Sequence, residues 1–146
     1  TRVTPCENME DLLDIISLYK DHYDNWRNDT LKDIYHHIYP PLYLGQYTIN
    51  RDDDGKIYGF TNWAFFSEDA EQNFLDTRSP RMGDWLSGDK IWIIDSIYTK
   101  EHNGMKFNKT FFTHLLGPGK TVQWLRLAPN GLIRNHFKVV TKEHWL

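Results

Sequence analysis

The sequence holds a single cysteine, Cys6, among 146 residues. One thiol excludes any intramolecular disulfide and favours a reducing compartment. No apolar run approaches the roughly 18 residues of a spanning helix, and no signal peptide is visible. The expectation is a soluble, cytoplasmic protein. Recognisable metal spacings are missing too: His36 and His37 are adjacent, and neither HxxxH nor HExxH occurs, so no metal is expected. There is no Gly-x-Ser-x-Gly, and Cys6 sits in an acidic setting that should raise its pKa, which argues against serine-hydrolase and cysteine-nucleophile chemistry. Gly117-Pro118-Gly119-Lys120 lacks the full phosphate-loop pattern and reads as a plain turn. Repeats, low-complexity tracts and internal linkers are absent, so residues 1–146 read as one domain.

Aromatic residues are plentiful: six Trp, eight Tyr and eight Phe. They suit a strand-containing core or a ligand groove. The net charge of −3 conceals an uneven distribution. Residues 1–99 carry nine Lys/Arg against eighteen Asp/Glu, and residues 100–146 carry eight against two. The C-terminal third is therefore strongly basic, which suits an acidic partner, nucleic acid or an acidic carrier protein, unless folding mixes the two signs.

Met9, Leu12, Ile16, Tyr19, Tyr23 and Trp26 recur at spacings of three and four, which predicts a helix over 8–26. His22 falls at the margin of its apolar face, almost in line with Ile15 and Leu18. A short helix is expected over Leu31–Tyr39, ended by Pro40-Pro41. Leu42–Ile49 and Lys56–Phe65, joined through Arg51-Asp52-Asp53-Asp54-Gly55, read as an antiparallel hairpin. Ser67 followed by Glu68, Asp69 and Glu71 has helix-start chemistry. Further on, Lys90–Thr99 and Thr121–Ala128 read as strands, Asn108–Leu116 as a helix and His136–Val140 as a last strand. The fold class is α+β.

Within the strand at Lys90–Thr99, period two places Ile91, Ile93, Asp95 and Ile97 on one face and Trp92, Ile94, Ser96 and Tyr98 on the other. Both faces are largely apolar, so the strand should be covered on both sides. A carboxylate there needs a cation or several donors. His22, Arg126 and backbone amides are the candidates for Asp95. A His22–Asp95 pair would be a usable general base, the carboxylate orienting the imidazole and favouring the imidazolium.

Several stretches together resemble a known family: His22 with Trp26; Tyr35 to Pro40; Gln46-Tyr47; Gly59-Phe60-Thr61-Asn62-Trp63-Ala64 with Ser67; Asp84-Trp85-Leu86-Ser87-Gly88-Asp89; Trp92-Ile93-Ile94-Asp95 with Asn103-Gly104; and Trp124-Leu125-Arg126-Leu127-Ala128-Pro129. In order and near-spacing, over roughly residues 15–130, they are similar to the RTX toxin-activating lysine acyltransferases of the haemolysin-activator type. The resemblance implies a GNAT-like acyltransferase fold, a mixed and mostly antiparallel sheet flanked by helices, and a homodimer. It implies transfer of a fatty acyl chain from acyl carrier protein to an internal lysine of an RTX protoxin, with His22 and Asp95 as the catalytic pair. Arg126 matches a further basic position and is carried over as substrate-binding. Trp63, Trp92 and Trp124 are candidate walls for an acyl chain, a role that core packing explains equally well. No Arg/Gln-x-x-Gly-x-Gly/Ala loop for a coenzyme A pyrophosphate occurs, which fits acyl carrier protein as donor and no separate cofactor. The alternatives are a related N-acyltransferase using acyl-CoA and a small amine, and a non-catalytic module gripping an acidic partner.

Overall fold

The computed structural model describes residues 9–22, 31–99, 104–128, 130 and 132–142. Cys6, Tyr23, Trp26, Asn103 and Pro129 lie outside the described residues. The elements run α1 (Met9–His22), α2 (Leu31–Leu44), β1 (Tyr47–Arg51), β2 (Ile57–Phe66), α3 (Glu68–Thr77), β3 (Lys90–Tyr98), α4 (Gly104–Leu116), β4 (Thr121–Leu127) and β5 (Ile133–Val140). The strands form one sheet in the order β1-β2-β3-β4-β5, with β3 and β4 parallel and every other pair antiparallel. The expected mixed, mostly antiparallel sheet flanked by helices is what the chain forms. Among the described residues no helix is long and apolar enough to cross a membrane.

Three apolar clusters show how the layers are built. Ile15, Ile16, Leu18 and Tyr19 of α1 pack with Ile38 and Leu42 of α2 against Tyr47, Ile49, Phe60 and Ile97. On the same face Ala70 and Phe74 of α3 meet Ala64, Phe66, Trp85 and Trp92. The opposite face is covered by α4, whose Phe112 packs with Trp63, Ile91, Ile93 and Val122. Strand β2 alternates cleanly between the two layers, as period two requires.

Arg51 ties α1 to the sheet edge, with Nη2 at 2.7 Å from Asp11 Oδ1 and Nη1 at 3.0 Å from Asp14 Oδ2. The helix start at Ser67 forms as expected: its hydroxyl accepts from Ala70 N at 3.1 Å. The segment Asp84–Asp89 is bound to the end of β2. Phe65 N donates to Trp85 O at 2.9 Å, Ser87 N and Gly88 N both donate to Phe65 O, and Gln46 Nε2 bridges Trp63 O and Trp85 O. A Cβ on Gly88 would collide with the Phe66 carbonyl and with Ser67, so this close approach requires glycine.

Four expectations need correction. Helix α2 runs through Pro40 and Pro41 to Leu44, so the residues from Leu42 to Leu44 are helical and β1 starts only at Tyr47. Both prolines sit inside this one helix, where each lacks the amide hydrogen that would bond the carbonyl four residues before it, and the helix continues past them for three more residues. Two element starts come earlier than expected: the last strand begins at Ile133 rather than His136, and α4 at Gly104 rather than Asn108.

The fourth correction concerns β3. The register pairs Asn62 with Asp95 but Trp63 with Ile93, so Ile94 is an extra residue, a β-bulge. Alternation slips at that point. Ile91 and Ile93 face α4, whereas Trp92 and then Ile97 face the α1–α3 layer. Asp95 joins Ile97, and Ser96 turns toward α4, accepting from Asn108 Nδ2 at 2.8 Å. The four residues expected on one face are divided between two.

Candidate functional site

The parallel ladder between β3 and β4 is short. It joins Ile91 to Val122 and Trp92 to Gln123, then stops where the bulge begins. Past that point the strands part, and a cleft of about 500 Å³ opens between Ile93–Tyr98 on one side and Trp124–Leu127 on the other. His22, the last residue of α1, and Gly104 with Asn108 of α4 complete its lining. Because α1 and α4 lie on opposite faces, the cleft is lined by residues from both sides of the sheet.

Asp95 stands half-buried in this opening. Its carboxylate oxygen Oδ2 accepts from the Tyr19 hydroxyl at 2.8 Å. Its backbone amide donates to Asn62 Oδ1 at 2.8 Å, and Asn62 Nδ2 donates to the Tyr19 oxygen at 3.3 Å. Tyr19 and Asn62 are fully buried, so these bonds form where water competes poorly. Asn62 thereby holds the bulge by its amide and Tyr19 by its hydroxyl. A charge-assisted bond from a phenol favours the ionised carboxylate.

His22 and Asp95, expected together, line the same cleft, as do Arg126 and Trp124. Arg126 is exposed and its guanidinium lies 5.4 Å over the Phe137 ring, while Trp124 stacks on Phe137 at 5.2 Å. Trp63 and Trp92, expected either as walls for an acyl chain or as core, do not line this cleft. Trp63 is directed by β2 into the α4 layer against Phe111 and Phe112. Trp92, fully buried, precedes the bulge and faces α3, where its Nε1 donates to Glu71 Oε2 at 2.7 Å. Both are core residues, and Trp124 is the cleft's tryptophan among the three.

The α4 side of the opening is polar. Thr61, Ser96 and Asn108 bond to one another through their side chains. Tyr98 OH donates to Asn50 Oδ1 at 3.3 Å, and burial pushes the phenol up to about 12. Its ring is enclosed by Gly59 and Gly104, at both of which a Cβ would overlap it.

Sequence reading missed Tyr19 and Asn62. Tyr19 was one more residue of an apolar stripe, although a tyrosine three positions before a candidate base carries a hydroxyl to the same side of the helix. Asn62 was signalled by being an amide inside an otherwise apolar strand.

Comparison with known proteins matches the sequence of this chain to a family. The model of the RTX toxin acyltransferase family covers residues 6–140. The RTX-II toxin-activating lysine-acyltransferase ApxIIC of Actinobacillus pleuropneumoniae is 33% identical over 72 residues, 49% of this chain and 44% of that protein. The leukotoxin-activating lysine-acyltransferase LtxC of Aggregatibacter actinomycetemcomitans is 37% identical over 78 residues, 53% of this chain and 46% of that protein. The protein-lysine palmitoyltransferase CyaC of Bordetella bronchiseptica is 36% identical over 58 residues, 39% of this chain and 31% of that protein. The chain thus spans less than half the length of these curated relatives. With the family pattern running from residue 6 to residue 140, the chain belongs to the RTX toxin acyltransferase family.

Proposed function

We propose that this chain is a protein-lysine fatty acyltransferase that moves an acyl group from acyl carrier protein to an internal lysine of an RTX-type protoxin. The observation that carries the reading is that His22, Asp95 and Arg126 line one cleft between β3 and β4. Similarity to lysine-acyltransferases, one of them a palmitoyltransferase, supplies the reaction class.

A lysine ammonium has an ordinary pKa of about 10.4 and must lose a proton before it can attack. His22 takes that proton, directly or through one water, and Asp95 supports the imidazolium. The neutral amine adds to the thioester carbonyl. The tetrahedral adduct gives up its surplus N–H proton to water and collapses with cleavage of the C–S bond, and the imidazolium proton passes to the departing thiolate, leaving an amide, a free carrier thiol and neutral His22. Backbone donors or Arg126 stabilise the oxyanion. Ile94, Leu125 and Leu127 in the cleft lining offer the acyl chain apolar surface.

The test is acyl transfer from loaded carrier protein to a lysine-bearing protoxin segment, followed by mass spectrometry. His22→Ala and Asp95→Asn should each lower turnover by at least about a hundredfold, as expected for loss of a general base or its support, with circular dichroism unchanged. A fully active Asp95→Asn enzyme would sink this mechanism.

A further inference from the structure

We propose that Tyr19 is a positioning residue for Asp95, fixing the carboxylate to the same helical turn that carries His22. The proposal rests on the acyl-transfer reading for its kinetic consequence, but its physical content is independent of it. Tyr19 and His22 are three residues apart on α1, so they project from neighbouring positions on one side of the helix. The Tyr19 hydroxyl bonds Asp95 Oδ2 at 2.8 Å. The carboxylate is thus linked to the helix that presents the base, and a rigid helical turn sets the spacing between the two groups.

The rest of the network points the same way. Bulge and phenol are held by one side chain: Asn62 accepts from Asp95 N and donates to the Tyr19 oxygen. Asn62 is fully buried in the middle of β2 and pairs directly with Asp95 in the ladder. Core packing does not require the hydroxyl. The Tyr19 ring lies 5.8 Å from Phe60 within a cluster of aliphatic and aromatic residues, contacts that phenylalanine would keep. A phenol buried there has an energetic reason to keep its oxygen only if that oxygen is bonded. Among the described residues, Tyr19 of α1 bonds the Asp95 carboxylate, and His22 from α1, Tyr98 from β3 and Arg126 from β4 are the other charged or titratable groups that line the cleft. Tyr19 supports the carboxylate without adding a charge of its own. A bound cation would instead compete with the imidazolium for it.

The deciding experiment is a carboxyl-carbon NMR titration of Asp95 in the wild-type chain and in Tyr19→Phe, paired with transfer kinetics. Loss of the hydroxyl should raise the titration midpoint of Asp95, since a donor to the charged form is removed. In transfer from loaded carrier protein, Tyr19→Phe should lower kcat about tenfold, a part of what a general base supplies, with KM unchanged. The same substitution in an Asp95→Asn background should add no further loss. An unmoved Asp95 titration, or an equal loss in the Asp95→Asn background, overturns the proposal. If the wild-type chain transfers no acyl group, the functional reading fails while the NMR titration still decides the role of Tyr19. Should Tyr19→Phe not fold, the ring carbon bearing the hydroxyl in the wild-type chain serves instead. Its shift must follow the Asp95 titration, and a flat response overturns the link.

Discussion

Asn62 shows how one side chain can fix a candidate catalytic geometry. It is fully buried, and its amide meets both the bulged backbone at Asp95 and the Tyr19 hydroxyl. Replacing it by Leu removes an acceptor and a donor from a site closed to water. Each unsatisfied buried group costs about 1–3 kcal/mol, so Asn62→Leu should lower unfolding free energy by an amount in that range. Urea denaturation measures it, and a loss below a few tenths of a kcal/mol would mean the network is not holding the bulge. Tyr98 yields a second prediction. Its folded pKa, pushed up to about 12 chiefly by burial, exceeds the ordinary value of about 10. Between those values the unfolded chain has lost the phenolic proton and the folded chain has kept it. Stability from this residue is therefore complete below pH 10 and declines as pH rises toward 12. The urea midpoint should fall more steeply over this window for the wild-type chain than for Tyr98→Phe. Equal slopes would contradict the assignment.

At the scale of elements, local patterns announced most of the framework. Apolar spacing on α1, the acidic turn between β1 and β2, and the Ser67 cap all act through near neighbours in sequence, and each formed where its chemistry pointed. The site depended on something less local. Nothing in Trp92-Ile93-Ile94-Asp95 marks where alternation slips, and the side chain that bonds the bulged backbone, Asn62, lies on another strand. That slip moved Asp95 to the α1 face, while Trp92 ahead of it and Trp63 on the regular β2 stay in the core, and His22, Asp95, Arg126 and Trp124 line the cleft. A bulge bends its strand and raises the local twist, which here coincides with the parting of β3 from β4. Deleting Ile94 would restore a regular ladder to β2 and straighten β3 toward β4. The expected outcome is a folded protein, by circular dichroism and a cooperative thermal transition, that has lost acyl transfer. A deletion variant that retains full transfer would show that the bulge does not shape the site.

At the scale of the whole molecule, the two edges of the sheet differ in charge among the described residues. The exposed acids Asp52, Asp53 and Asp54 sit in the turn between β1 and β2, at one edge of the sheet. Exposed Lys120, Arg126, Arg134, Lys138 and Lys142 lie on or beside β4 and β5, at the other. The basic edge borders the cleft, because β4 forms one of its walls. An acidic carrier protein approaching that edge would be steered by exposed charges, whose interactions reach about 10 Å at 0.1 M salt and about 3 Å at 1 M. Rim charges of this kind act on encounter more than on chemistry. Raising salt should therefore raise KM for loaded acyl carrier protein while kcat stays within about twofold. The double reversal Arg134→Glu with Lys138→Glu, outside the cleft lining, should raise KM several-fold at low salt. At high salt the variant and the wild-type chain should converge, since screening removes the interaction that the reversal altered. Steady-state transfer kinetics across a salt series measure both effects. A KM that is independent of salt, or a defect in the double variant that persists undiminished at 1 M, would place carrier recognition on another surface.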